Sequence, residues 1–374
     1  MTPQHLLAQA SRKVGWELLL KVSGLENGKQ VEAIALSPLS ITIAIAMLAG
    51  AADSQRQSKW CRKLGLTESL ATNAEAVQSD LASLAEQKIL SLANAVFIDR
   101  TVEILSEYEQ HLSSLKALRQ QYPSLADSAA EINSWISENT MGRINNMLQV
   151  DALRNCHVVL ANAVAFKGTW KTKFDQQDTI PDYPFYLEDG TEKTTEMMFL
   201  NGKNVEIYSG EDYSAVRLPY VTEEDSPPVA LVAWLPNPGT TLSSLINKLS
   251  STDEQGQNLS FRRKKLSEFG FPKFKVDSKF SLLKQLEGIG FPIKGNYPNM
   301  AKGPNEVSNI IHQTFVKLDE EGTEAAAATA VMMLRSMPMR EEEQRLVFDR
   351  PFLYMIEGGE DRHPIISGTF SVAK

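Results

Sequence analysis

The run EEGTEAAAATAV, Glu320 to Val331, constrains the fold of this chain more than any other stretch. It joins a glycine to small residues, contains no proline, and leads straight into a methionine-rich segment that carries an arginine. Two readings compete. Alanine has the highest intrinsic helix propensity and Thr323, behind Gly322, suits an N-cap, so the run is able to form a helix. With period two instead, Thr323, Ala325, Ala327 and Thr329 face one way while Glu324, Ala326 and Ala328 face the other. Only small side chains then line the inner face, as a strand requires if it enters a sheet after the core has packed. The charge of Glu324 falls on the outer face, where it is harmless.

The chain has 374 residues and is 43% hydrophobic, enough for a large single core or for two domains. No repeat or low-complexity linker divides it. With 38 basic and 46 acidic residues the net charge is -8, which disfavours nucleic-acid binding as the main task. The short basic cluster Arg262 to Lys265 reads as a solvated face, with contact to an anionic polymer as the alternative. Cys61 and Cys156 are too few for a disulfide framework and are expected as free thiols. No signal-peptide pattern shows in MTPQHLLAQASRKVGWELLL, which leaves the compartment open between the cell interior and secretion after leader removal. The longest apolar stretch, Ala33 to Ala52, contains Pro38, Ser37, Ser40 and Thr42, and reads as a buried strand turning into a core helix rather than a membrane span.

Helical patterns come first and strands later, which suits an α+β architecture better than regular βαβ alternation. Helices are expected at His5 to Ser23, Ile41 to Ala51 and Ser128 to Asn139. LSLANAVFID (Leu90 to Asp99), VVLANAVAFKG (Val158 to Gly168) and VALVAWLP (Val229 to Pro236) have the apolar density of interior strands. FGFPKFKVD and VFDRPFLYMI continue the β-rich pattern, and SNIIHQTFVKLDEEG reads as a strand running into the Glu320 to Val331 segment. Enzymatic signatures are missing: there is no G-x-S-x-G nucleophile elbow, and the five histidines form no H-E-x-x-H or other close ligand spacing. No metal or cofactor is expected.

Several strings are specific in both type and order. LSPLSITIAIAMLAGAA, LANAVFID, EINSWISENTMGRINNML, NAVAFKGTWKTKFD, RLPY, FPKFKVD and FDRPFLYMI together resemble the serpins over nearly the whole chain, and Glu320 to Val331 is similar to the proximal hinge of an inhibitory member. The resemblance implies one serpin domain over residues 1–374, a helix-rich N-terminal half packed on a large main sheet with two smaller sheets, and an exposed reactive-centre loop at about 320–347. It implies no catalytic role. The chain is expected to be a monomeric suicide-substrate inhibitor that forms a covalent complex with a serine protease, with no nucleic-acid or membrane partner.

The resemblance also implies roles for particular residues. Glu320, Gly322, Thr323, Ala325, Ala326, Ala327 and Ala328 match the hinge. Ser37, Ser40, Asn162 and His312 match the shutter, a polar latch between strands that must part and rejoin. Trp170 matches the breach at the top of the sheet, though a large buried core residue is an equal reading. Counting from the hinge by the commonest spacing puts the attacked bond at Ser336-Met337; a loop one residue shorter puts it at Arg335-Ser336. Arg335 is preferred, because a guanidinium pairs with the acidic pocket floor of trypsin-like proteases. Met333, Leu334 and Met337 keep chymotrypsin-like and elastase-like targets open, a cysteine protease is a further possibility, and a non-inhibitory member is the alternative class. Departures from the family pattern are the terminus PIISGTFSVAK, without the usual closing proline, and NYPNMAKGPN, a loose match in its loop.

Overall fold

The computed structural model describes residues 2–25, 31–66, 69–251, 259–303, 305–323 and 344–372. Its first helix spans Pro3–Ser23, starting two residues before the expected His5. Thr2 explains the difference: its side chain accepts from the His5 amide at 3.2 Å, and Pro3 stands in the first turn, where an amide is dispensable. The apolar stretch Ala33 to Ala52 becomes a strand, Ile34–Leu36, and a helix, Pro38–Ala51. Between them Ser37 caps the helix, its hydroxyl accepting from the Ser40 amide at 3.2 Å. This helix is apolar and buried nearly all round, so its first turn sets Ser37 and Ser40 in the interior.

The main sheet runs Leu118–Tyr122, Leu90–Asp99, Val158–Phe166 and Asn309–Asp319, with Phe274–Ser281 along the far edge of the last. Alternation sorts its side chains into two faces. Leu160, Val164, Val96, Ile98, Ile310 and Val316 face the larger core, which holds the Pro38–Ala51 helix and the second sheet. Ala93, Ala95, Phe97, Val159, Ala161, Ala163, Ile311 and Phe315 face the other way, toward Ile132 and Ile136 of the helix Ala129–Glu138. Four alanines on that face keep it shallow under the helix.

A second sheet is ordered Ile34–Leu36, His363–Phe370, Phe352–Gly358, Val229–Pro236, Tyr213–Pro219, Asn204–Ser209 and Arg262–Lys265. A four-stranded sheet comprises Arg345–Val347, Glu268–Pro272, Glu192–Asn201 and Ile180–Tyr186. The basic cluster Arg262–Lys265 is thus an edge strand, and the unmatched terminus still supplies a buried strand, His363–Phe370. Cys61 and Cys156 are free thiols. Among the described residues no helix is long and apolar enough to cross a membrane.

Two strands differ from expectation, and one β-rich segment divides between sheets, at points that matter for the site. Val158–Phe166 ends before Gly168, which opens a separate two-residue strand, Gly168–Thr169. FGFPKFKVD is not one strand: Glu268–Pro272 belongs to the small sheet and Phe274–Ser281 to the main one, with Lys273 at the crossing, its amide held by Glu196 O at 2.8 Å. Asn309–Asp319 does not run straight on either. The chain turns at Glu320 and Glu321, and Gly322–Thr323 comes back antiparallel to it.

Candidate functional site

Under the middle of the main sheet lies a row of polar side chains that crosses three strands. Asn94 is the register partner of Asn162 across the antiparallel pair, and Asn162 is the partner of His312 across the parallel pair. All three point toward the start of the Pro38–Ala51 helix. The Asn162 Nδ2 lies 2.8 Å from Ser40 O and 2.5 Å from each of Ser40 Oγ and Asn94 Oδ1, three acceptors that share its two hydrogens. The structure therefore brings Ser37, Ser40, Asn162 and His312 together, and adds Asn94 and Thr314. Ser37, Ser40, His312 and Thr314 have no exposed surface, and Asn162 and Asn94 very little.

The ring of His312 has a defined tautomer. Its Nε2 accepts from the Ser37 backbone amide at 2.9 Å, which leaves the proton on Nδ1 to donate to Asn162 Oδ1 at 2.5 Å. The Thr314 hydroxyl lies 2.8 Å from Nε2. Burial drives the His312 pKa down to about 3, against the opposing hydrogen bond with Asn162. The imidazole is neutral at physiological pH. Because Ser37 is also the helix cap, one histidine ties the helix start to the seam between two central strands.

A second group of residues closes the top of that seam. Pairing between Val158–Phe166 and Asn309–Asp319 runs from Val159 opposite Asn309 to Ala165 opposite Phe315. Beyond Phe315 the same edge is taken by Gly322–Thr323: Thr323 pairs with Leu318, whose other side pairs with Phe274. Gly168–Thr169 flanks Gly322–Thr323 on its far side. Gly322 has φ +151°, and a Cβ there would stand 2.0 Å from Gly168 O, so only glycine fits this slot. Antiparallel to Asn309–Asp319, the short strand heads toward Phe315 and the closed seam.

Aromatic rings and ion pairs, Glu320–Lys273 among them, fix this corner. Trp170 is buried, donates from Nε1 to Asp319 O at 2.9 Å, and stacks on Tyr220 with centroids 4.4 Å apart and planes 14° from parallel. Its amide donates to Glu321 O at 2.9 Å. The Tyr220 hydroxyl and Thr323 Oγ1 share a hydrogen bond of 2.7 Å, and burial pushes the phenol well above its usual range. Glu320 accepts from Thr179 Oγ1 at 2.9 Å and pairs with Lys273 at 3.2 Å. Burial opposes its charge, but its own amide, Thr179 and Lys273 together hold the carboxyl below the usual value.

Of the residues singled out from sequence, Ala325 to Ala328, Arg335, Ser336 and Met337 lie outside the described residues. Both ends of the expected loop are built into sheets: Gly322–Thr323 in the main sheet and Arg345–Val347 in the small one, where Arg345 bonds Tyr183 and Glu268. Sequence reasoning missed Asn94, Thr314, Tyr220 and Lys273. Asn94 had a signal, a lone amide in an otherwise apolar strand; Tyr220 and Lys273 needed the fold to bring distant segments together.

The site is thus a main sheet with a buried polar row beneath its middle and a short strand, Gly322–Thr323, seated at the head of its central seam. A family model described as Serpin (serine protease inhibitor) matches residues 9–372, and the chain belongs to that family. It is 32% identical to Serpin-ZX of Arabidopsis thaliana over 86% of this chain and 88% of that one. It is 28% identical to Serpin B6 of Macaca fascicularis over 94% and 96%. Among solved structures, that of Arabidopsis AtSerpin1 in its native stressed conformation is similar at a TM-score of 0.85 and 27% identity, covering 99% of this chain and 98% of the other. Members of the family are mostly protease inhibitors rather than enzymes.

Proposed function

We infer that this chain, read as one serpin unit over residues 1–374 with its reactive loop at about 320–347, is a suicide-substrate inhibitor of serine proteases. A protease attacks the loop as substrate and forms an acyl-enzyme. Cleavage frees the hinge, which enters the seam and carries the bound protease with it, so that deacylation stalls. Serpin loop insertion is itself a known instance of strand addition and of order–disorder switching. About ten new ladder bonds at roughly 1 kcal/mol each give a release on the order of 10 kcal/mol, which requires a kinetically held, metastable starting form.

The observation that carries this reading is the placement of Gly322–Thr323 between Asn309–Asp319 and Gly168–Thr169, directed down the line where Val158–Phe166 now pairs. Glu320, Gly322, Thr323 and Ala325 to Ala328 form the hinge, Ser37, Ser40, Asn162 and His312 the latch, and Trp170 the entry. In the loop, Arg335-Ser336 is the attacked bond and a trypsin-like enzyme the preferred target. The test is to mix the protein in turn with trypsin, chymotrypsin and elastase, then run denaturing gels and intact mass spectrometry. A complex that survives denaturant, with a released peptide beginning at Ser336, supports trapping at Arg335. A peptide beginning at Met337 moves the bond to Ser336-Met337, and cleavage with no complex overturns the inhibitory reading.

A further inference from the structure

Thr323 is the first inward residue of the hinge, and it has no exposed surface. Its hydroxyl shares a 2.7 Å hydrogen bond with that of Tyr220, a residue with only 4% of its surface exposed. Neither group has bulk water at hand, and a buried hydroxyl that loses its partner bears a desolvation cost. The phenol is held rigidly. Its ring stacks on Trp170, meets Phe166 edge-on at 5.0 Å, and covers Gly168, where an added Cβ would come within 2.7 Å of it. Its backbone is fixed by the bridge to Trp170 and by the Tyr220 amide donating to Val229 O at 2.9 Å. Tyr220 thus presents one hydroxyl, from a fixed point outside the seam, to the side chain that begins the inserted strand.

We propose that Tyr220 is a positioning residue for trapping: its bond to Thr323 docks the hinge before any peptide bond is cut, so insertion starts from a formed first pair. The proposal rests on the inhibitory reading above. Trapping is a race between insertion and deacylation of the acyl-enzyme. A docked hinge begins that race with its strand already nucleated, whereas an undocked one must first find its place against the entropy of the loop. Leaving either hydroxyl buried without its partner drives the hinge from its dock, slows insertion, lets more acyl-enzyme hydrolyse, and raises the number of molecules consumed per protease trapped.

The experiment uses Tyr220→Phe, Thr323→Val and the double variant, with two measurements on the full chain. Hydrogen exchange of a peptide covering residues 319–323, in the uncleaved protein, should rise about tenfold in either single variant. The stoichiometry of inhibition should rise several-fold in both. In the double variant both values should return toward wild type, because no hydroxyl is then buried without a partner. A Tyr220 that merely supports the fold would not be rescued by a change at Thr323, and that outcome overturns the proposal, as does unchanged exchange in the single variants. Wild-type protein that traps normally beside variants of unchanged stoichiometry overturns the role of Tyr220 alone. Wild-type protein that traps no protease overturns the inhibitory reading and this role with it.

Discussion

Asn162 and His312 sit directly opposite each other across the parallel pair of central strands, joined by a hydrogen bond of 2.5 Å from Nδ1 to Oδ1. That bond needs a neutral imidazole, because Nε2 is committed as acceptor to the Ser37 amide. The pH dependence follows. The pKa of His312 is lowered from 6.5 to about 3 in the fold, so between those values the unfolded chain binds a proton that the folded one refuses. Stability from this site is fully present above pH 6.5 and is lost as pH falls toward 3, by roughly 1 kcal/mol per pH unit. Urea unfolding of wild type and His312→Gln across this range should show a shallower slope in the variant. Parallel slopes would mean that His312 does not titrate as described.

Gly322→Ala tests the slot itself. A methyl group 2.0 Å from Gly168 O, at φ +151°, cannot be absorbed by rotamer change, because the obstacle is backbone. The strand Gly322–Thr323 should leave its place, at a cost of roughly 1–3 kcal/mol in urea unfolding. Limited proteolysis should then cut near residues 320–323 faster than in wild type. Equal cutting rates would show that the corner relaxes around the extra carbon.

Much of this was legible in the sequence, for reasons particular to each element. Leu90–Asp99 and Val229–Pro236 have the bounds their apolar density indicates, since a strand covered on both faces needs an unbroken apolar run. The α+β class followed from the order of helical and strand patterns, whereas the serpin fold and the residues of the polar row were reached through the resemblance, since periodicity gives His312 no partner. Asn94 was overlooked although LANAV occurs in both Leu90–Asp99 and Val158–Phe166; the antiparallel register sets the two asparagines opposite each other. The turn at Glu320 and Glu321 was hidden because an apolar strand and an alanine-rich run look continuous. What breaks them is Gly322, whose fit depends on a carbonyl more than 150 positions earlier in the chain. Lys273 read as one more strand residue, and its role appears only where the two sheets part.

The pair Glu320–Lys273 should be asymmetric under mutation. Glu320 is almost wholly buried, whereas the Lys273 side chain is about a third exposed. Lys273→Met leaves a buried carboxylate with its own amide and Thr179 alone, while Glu320→Gln leaves an ammonium that water can reach. The lysine change should therefore be the more destabilising, with Glu320→Gln costing about 1 kcal/mol or less. Glu320 is held below the usual 4.5, so its contribution is present above that pH and is lost as pH falls through its folded value. Thermal unfolding at pH 7 and pH 4 checks both points, and a larger loss in Glu320→Gln than in Lys273→Met would contradict them.

Thr323→Arg separates recognition by the protease from insertion. Position 323 is fully enclosed by Leu318, Gly168 and the Tyr220 ring, and a guanidinium there would be buried without a counter-charge. The resting fold has an escape, because the hinge can remain outside the sheet, so the variant should fold and still be cut by trypsin at the loop. Under the proposed insertion mechanism, however, the cleaved strand has to keep its first inward residue in this slot. Wild-type protein should gain strongly in unfolding midpoint after loop cleavage, as the new strand joins the sheet, while cleaved Thr323→Arg should gain little and behave as a substrate. If the variant forms a denaturant-resistant complex with the same stoichiometry as wild type, the hinge does not enter the sheet through Thr323.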